Sequence, residues 1–323
     1  MTGKPLVLII SPANAKANNG NWQTALRWAG LLGERAEVQI LESWQGEPDA
    51  DLMIALHARK SAASMLAWSQ RHPRRPLVLV LTGTDLYRDI HIDAAARRSL
   101  ELASHMVVLQ ETGLDYVPPQ LRERTRVIYQ SLRGAVPAAV PAAQGPFTAV
   151  MVGHLREEKM PATFMQAAAL LDGDSFRLLH VGDALDPALG EMARRTARAW
   201  PHYQWLGHLT HEQALAAMAG SHSLAHCSAM EGGANVIIEA LACGLPVLAS
   251  DIPGNRGMLG RDYDGYFPPG DAHALAALLQ RLRAQPSFLA HLRQQCRKRT
   301  PLFSPQRERA ALLELLDNVL PAD

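Results

Sequence analysis

The strongest constraint on this chain is a rhythm that runs through it twice. In the first half, short apolar runs at 6–10, 38–41, 52–56, 77–81 and 106–109 alternate with stretches of helical period at 22–32, 62–69 and 94–103. Short buried runs alternating with helices mean a parallel sheet covered on its faces. A further run at 126–129 precedes residues 134–146, GAVPAAVPAAQGP, whose three prolines and two glycines forbid a regular element and read as a linker. Beyond it the alternation returns, with apolar runs at 148–152, 176–181, 203–206 and 223–227 and helical stretches at 162–170, 187–199 and 211–219. At 323 residues the chain exceeds one small core and suits two of ordinary size. The expectation is an α/β chain of two domains, 1–133 and 147–300, with a cleft between them. The remaining tail, 301–323, carries an amphipathic helix that starts at Ser304-Pro305 and packs back on the first domain.

Composition narrows the partners. A net charge of +1 gives no global attraction to nucleic acid or to an anionic membrane, so any bound anion must be met by local charge. Three cysteines at wide spacing argue against a disulfide framework and for a reducing compartment, with cytoplasm the expected location. The apolar run at 6–10 is too short for a signal sequence or a membrane span, and no other run approaches the roughly 20 residues a span needs. Oligomeric state is not legible.

The chemistry concentrates in residues 231–251, EGGANVIIEALACGLPVLASD. Glu231 and Glu239 flank a glycine pair and a helix start. Gly232 and Gly233 let backbone approach a ligand, and 235–241 reads as opening helical turns whose free N–H groups point at anions. Glu239, early on that helix, can accept from a ribose diol. Gly244 then stops the helix, and a buried strand begins at 247. Such an arrangement suits a nucleotide-sugar. Taken alone, the two glutamates equally describe a surface carboxylate and a helix-dipole partner. Gly153, His154, Arg156 and Lys159 follow the run at 148–152, where a solvated loop charge is the plainer account of Arg156 and Lys159.

The first half offers loops at the carboxyl ends of its strands, where open parallel sheets bind ligands. Gly20 and Asn21, with Lys16 upstream, precede the helix at 22–32; His57, Arg59 and Lys60 follow 52–56; Thr82, Asp85 and Arg88 follow 77–81. Asp85 equally reads as a helix cap and Gly20 as a plain turn. Arg59 and Lys60 equally read as a solvated pair. The spacings His208-x2-His211 and His222-x3-His226 with Cys227 are weak for zinc, and no metal or other cofactor is expected. Cys227, Cys243 and Cys296 read as small buried apolar residues.

These residues together resemble the retaining glycosyltransferases of the GT-B fold that carry an E-x7-E signature. ANNGNWQTALRWAGLL is similar to their glycine loop and first helix, PLVLVLTGTD to a segment usually written with His-Gly-x-Asp, VGHLREEK to the diphosphate segment, and SDIPGNRGML to the loop after the signature. The resemblance implies two Rossmann-like domains with a central cleft and a C-terminal crossing helix. By it Glu239 binds ribose, Gly232, Gly233, Ala234 and Asn235 take the diphosphate and sugar, and Glu231 takes sugar hydroxyls. Lys159, supported by Arg156 and with Gly153 and His154 in the same segment, meets the diphosphate. Three positions depart: His154 stands for an arginine, Thr82 for a histidine and Cys227 for a proline.

In a short chain this combination looks most like the selenosugar synthases of selenoneine biosynthesis, which join selenophosphate to the sugar of a UDP-sugar, UDP-N-acetylglucosamine or UDP-glucose. Selenophosphate is small, anionic and already nucleophilic, so it needs charge compensation and positioning more than a strong base. Arg59 and Lys60, with Lys16, Gly20, Asn21 and Asp85, are the expected acceptor residues. The resemblance implies retention at the anomeric carbon, while an anionic selenium nucleophile also permits inversion; both courses stay open. So do an ordinary glycosyltransferase with a lipid, glycan or small-metabolite acceptor, and a nucleotide-sugar binding or epimerising protein. Residues 22–35 read as a mixed face with Arg27, Glu34 and Arg35 but no lysine cluster, which is poor for docking on a membrane.

Overall fold

The computed structural model describes residues 3–13, 20–132, 134, 136–141 and 144–320. They divide into two compact units, one of 1–133 with 231–234 and 302–323, the other of 134–230 with 235–301. In the first unit the elements are β1 (Leu6–Ile10), α1 (Gly20–Leu32), β2 (Glu37–Leu41), β3 (Leu52–Leu56), α2 (Ala62–Arg71), β4 (Leu77–Leu81), α3 (Ile90–Ile92), α4 (Ala94–Leu102), β5 (His105–Val108) and β6 (Thr125–Val127). The strands form one parallel sheet in the order β2-β1-β3-β4-β5-β6. Because side chains alternate along a strand, Leu8 and Ile10 join Met65, Trp68 and Trp44 on one face, while Val7 and Ile9 join Trp28 and Leu32 on the other. Both faces are therefore buried, which is why the central strands β1, β3 and β4 are apolar throughout rather than alternating.

The second unit repeats the plan: β7 (Phe147–Val152), α5 (Pro161–Ala168), β8 (Phe176–Val181), α6 (Pro187–Ala199), β9 (Tyr203–Gly207), α7 (His211–Ala219), β10 (Ser223–His226), α8 (Asn235–Cys243), β11 (Val247–Ser250), α9 (Pro253–Leu259), β12 (Tyr266–Phe267), α10 (Ala272–Ala284) and α11 (Pro286–Arg299). Its parallel sheet runs β12-β11-β10-β7-β8-β9. The described residues of 134–146 form neither helix nor strand, yet they are not a loose tether. Ala139 N donates to Cys243 O at 2.7 Å and Val140 N to Ala219 O at 2.8 Å, fastening the segment to the second unit. Among the described residues no helix is long and apolar enough to cross a membrane.

Strand order locates the chemistry. Each sheet reverses its winding beside its first strand, between β1 and β3 in one unit and between β7 and β10 in the other. Ligands of such sheets bind outside the carboxyl ends of the strands at that reversal. In the second unit the loops leaving β7 and β10 are the ones that begin at Gly153 and lead to Glu231. In the first, the loop leaving β3 carries His57, Arg59 and Lys60.

The chain closes on the first unit through α12 (Pro305–Val319), which lays Leu312, Leu315, Leu316 and Val319 against the Val7, Ile9 and Trp28 face. Its start is capped by Ser304, whose side chain accepts from Arg307 N. One turn in, Glu308 is buried and its carboxylate is fully engaged. Arg27 Nε donates to both oxygens at 3.0 and 2.8 Å, Trp28 Nε1 donates at 2.8 Å, and Ser131 donates from N at 2.7 Å and from Oγ at 2.6 Å. Of the charged residues of the mixed face at 22–35, Arg27 is buried, while Arg35 and Glu34 stay exposed and pair with Asp317, at 2.8 Å, and with Arg309.

Removing one member of a buried, hydrogen-bonded ion pair strands the other charge, at a cost of about 3–5 kcal/mol. Glu308→Ala is expected to lose that much unfolding free energy in urea titrations, whereas Asp317→Ala, at an exposed pair, should lose no more than about 1 kcal/mol. Equal small losses would show that the buried pair does not hold α12. A second test concerns His180, fully buried beside Phe164 with Nδ1 2.8 Å from the Tyr203 hydroxyl. Burial lowers its pKa from 6.5 to about 4. The unfolded chain therefore binds a proton that the fold refuses, so stability falls as pH drops below 6.5 and levels off near 4. Over that window about 3 kcal/mol is at stake, and His180→Gln should flatten that part of the stability–pH curve.

Candidate functional site

Gly153 follows β7 with its backbone between two neighbours. A Cβ on Gly182, whose φ is +144°, would lie 2.1 Å from Gly153 O, so the two backbones touch because Gly182 has no side chain. On Gly153 itself a Cβ would meet the Cγ and Cδ of Lys159 at 3.7 Å, so the lysine stem lies across it. Lys159 closes a short turn, Glu157–Lys159, before Met160, which is left-handed at φ 45°. Ala229 N donates to Glu158 O at 2.8 Å, joining this turn to the segment that leads to Glu231. Arg156 is exposed and His154 half-buried. Asp183 N donates to His154 Nδ1 at 3.2 Å, which places the ring proton on Nε2. Burial lowers the His154 pKa, and nearby Arg156 lowers it further against the pull of Asp183. A neutral N–H donor therefore stands where the family resemblance expects a guanidinium.

Helix α8 turns Val236, Ile237, Ile238, Ala240, Leu241 and Cys243 inward. Glu239 sits among them with 14% of its side chain exposed, and His211 Nε2 lies 2.9 Å from its Oε1. His211 is the first residue of α7, whose start is set by a capping box: Thr210 Oγ1 accepts from Gln213 N, and the Gln213 side chain accepts from Thr210 N. The bond to Glu239 raises the His211 pKa despite partial desolvation. Asn235 opens α8 and is half-buried.

Residues 231–234 group with the first unit, and their glycines have a packing cause. A Cβ on Gly232 would lie 2.3 Å from Thr82 O, and one on Gly83, at φ +141°, 2.9 Å from Gly232 N. The signature loop and the loop after β4 are thus in backbone-to-backbone contact. A Cβ on Gly233 would meet Leu109 Cβ at 3.0 Å. Oriented to satisfy its neighbours, the Gln130 amide donates to Gly233 O at 3.2 Å and accepts from Arg27 Nη2 at 3.0 Å. Close approach of the chain to itself is thus one reason these two positions are glycine. Ala234 is buried and Glu231 half-buried.

The expected acceptor loops need more correction. Asp85 is fully buried: its Oδ1 accepts from Thr82 N and Gly83 N, both at 2.9 Å, and its Oδ2 from Ala58 N at 2.9 Å. With no exposed atom to offer a substrate, it organises the loops after β3 and β4. Arg59, though exposed, is paired: its Nε donates to Asp89 Oδ2 at 2.8 Å while Arg88 Nε donates to Asp89 Oδ1 at 3.0 Å. Burial pushes the Asp89 pKa up, but the bonds from Arg88 and Arg59 outweigh it and the net shift is downward. His57, buried and left-handed at φ 74°, has its pKa lowered by burial against Asp85, so it brings no positive charge. Its Nε2 lies 3.1 Å from Thr84 Oγ1. Lys60 is exposed, Gly20 begins α1 with open space where a Cβ would stand, and Asn21 is half-buried. Lys16 lies outside the described residues.

The remaining candidates are engaged separately. His208 bonds Asp183 at 3.1 Å and His211 bonds Glu239, so that pair does not share a ligand. His222 accepts from Thr148 N at 2.9 Å and stacks on Phe147. Among the described residues no three His, Cys, Asp or Glu side chains converge in a metal-binding group. Burial pushes the Cys227 thiol up to about 12 and the Cys243 thiol to about 11, and raises that of Cys296. Sequence reasoning missed two supports. The Thr210-x2-Gln213 spacing marks a helix start at His211, but its partner is 28 residues away; the Gln130–Arg27–Glu308 chain has no local signal at all.

Residues 135–301 match the family described as glycosyl transferases group 1. Comparison with curated protein sequences finds no match. Among solved structures, sucrose-phosphate synthase from Thermosynechococcus elongatus is similar over 99% of this chain and 100% of its own, with 18% identity and a TM-score of 0.79. Anabaena HepE, solved in complex with UDP-glucose, is similar over 97% of this chain and 100% of its own, with 17% identity and a TM-score of 0.78. A glycosyltransferase from Rickettsia africae is similar over 100% of both chains, with 14% identity and a TM-score of 0.70. These structures match the fold of two parallel six-stranded sheets wrapped by helices, and a family match over more than half its length makes this chain a member of the glycosyl transferases group 1 family, with the GT-B fold.

Proposed function

We propose that this glycosyltransferase moves the sugar of a UDP-sugar, UDP-N-acetylglucosamine or UDP-glucose, onto selenophosphate. The donor half of the reading is supported by family membership, by the HepE complex with UDP-glucose among its structural neighbours, and by a half-buried Glu239 at the opening of α8. Glu239 accepts from the ribose diol. The loop from Gly232 to Asn235 and the neutral donor His154 meet diphosphate and sugar, Gly153 leaves room for the Lys159 stem, and Glu231 takes sugar hydroxyls. Selenium attacks the anomeric carbon as the bond from that carbon to the UDP oxygen breaks. Lys159 and Arg156 meet the charge that collects on departing UDP. Phosphate leaves afterwards, when water cleaves the selenium–phosphorus bond. No metal is assigned a part.

The observation that carries the acceptor reading is the cationic group at the strand ends of the first unit. Asp89, buried, takes one nitrogen from each of Arg59 and Arg88, which orients their remaining donors, and exposed Lys60 adjoins them. Oriented guanidinium forks suit a small, multiply charged anion better than a lipid or an uncharged sugar hydroxyl. Cys227 plays no nucleophilic part, since a thiol pushed up to about 12 holds too little thiolate at neutral pH.

Three measurements test this. Purified protein incubated with selenophosphate and a panel of UDP-sugars should yield a hexose bearing the selenium isotope pattern by mass spectrometry, with UDP released only when selenophosphate is present. UDP release onto a lipid, glycan or small-metabolite hydroxyl instead would return the chain to ordinary glycosyl transfer. Lys60→Ala, and Arg59→Ala beside it, should each raise the KM for selenophosphate about tenfold with the UDP-sugar KM little changed, the scale of one charge-assisted bond; an unmoved selenophosphate KM sinks the acceptor assignment. Cys227→Ser should keep near-wild-type turnover while losing about 1–3 kcal/mol of stability through its buried hydroxyl.

A further inference from the structure

We infer that His211 is a positioning residue for the nucleotide: it holds Glu239 in the orientation that reads the ribose 2′-hydroxyl. The inference rests on the proposed donor reading of Glu239 and adds to it a residue from a different helix. Nε2 of His211 lies 2.9 Å from Glu239 Oε1, and among the described residues no other hydrogen-bond donor reaches that carboxylate. Oε2 and the second lone pair of Oε1 remain to accept from a diol.

The two ends of this bond are unequally constrained. Glu239 rises from a helix whose inward face is packed, but a glutamate keeps three rotatable bonds and only backbone placement comes from α8. His211 has two, and the capping box of Thr210 and Gln213 fixes the backbone from which it springs. His211 is the more exposed of the two, 57% against 14%, so what it adds is a donor from a fixed direction to a carboxylate already largely covered. In that role the ring must donate, which it does from Nε2 whether neutral in that tautomer or protonated. The charged groups around the ring are Glu239 from α8 and Glu212 from its own helix, while β7, which also packs on α7, carries no titratable side chain. Across Glu239, the Cys243 thiol is kept protonated. Among the described residues the imidazole is thus the donor that bonds this carboxylate.

The test uses UDP and 2′-deoxy-UDP as paired probes, with affinities measured by calorimetry on the full chain. Wild type should prefer UDP by about tenfold or more, the scale of one lost bond to a charged acceptor. Glu239→Gln should bring the ratio near one. His211→Ala should cut it to about threefold or less with thermal stability unchanged, and His211→Gln, whose amide nitrogen reaches the place of Nε2, should restore it. If His211→Ala keeps the wild-type ratio while Glu239→Gln loses it, the positioning role is wrong and the donor reading stands. A Gln variant that discriminates as poorly as the Ala variant also overturns the role. If Glu239→Gln itself keeps the ratio, the donor reading fails and the inference falls with it.

Discussion

The Glu308 carboxylate is the contact on which the first unit depends. A carboxylate removed from water is tolerable only if every oxygen lone pair finds a donor, and here Arg27, Trp28 and Ser131 supply five bonds from α1 and from the segment after β6. Those donors are 177 to 281 residues away in the chain. Unlike the leucines of α12, which accept any apolar face, this carboxylate has one geometry, so it selects the register in which the last helix seats. Apolar burial gives α12 its affinity, and Glu308 gives it a unique place.

The same network reaches the glycine loop. Arg27 spends Nε on Glu308 and Nη2 on Gln130, and Gln130 donates to Gly233 O. The position of the signature loop is thus referred, through two buried side chains, to the helix that ends the chain. Gly232 against Thr82 and Gly83 adds a second restraint from the loop after β4, which Asp85 in turn ties to Ala58 and so to the end of β3. Three loops that arrive from distant parts of the sequence share one set of backbone contacts. A methyl group added at Gly232 or Gly83 would separate them.

What was legible in the sequence follows from range. Strands buried on both faces carry an unbroken apolar signal, and β1, β3 and β4 stand where that signal runs. Pro and Gly punctuation marked 134–146, and the spacing of Glu231 and Glu239 marked the signature. The π-helical turn Asp85–Asp89 was not legible, because it forms around an aspartate that collects amides from its own loop and from the loop after β3. Nor were the partners of the basic loops: the sequence does not place Asp89 between Arg59 and Arg88, and it does not show the burial that lowers the pKa of His57 and His154. Sequence identifies which residues carry charge, whereas the counter-ion and the dielectric that decide its use are tertiary.

Counter-ions also decide what charge a chain of net +1 presents. A field spread over the surface would attract any polyanion, and this chain has none to spread. Its charge is instead local and already oriented, Arg59 and Arg88 by Asp89 and Glu239 by His211. A side chain held in place by an internal partner has given up its rotamer entropy during folding, so less is lost when a ligand arrives. The cost is that each such group has fewer free donors or acceptors, which favours ligands that need only the remaining ones in a fixed geometry. Selectivity then comes from which bonds are left open, and only secondarily from how much charge is present.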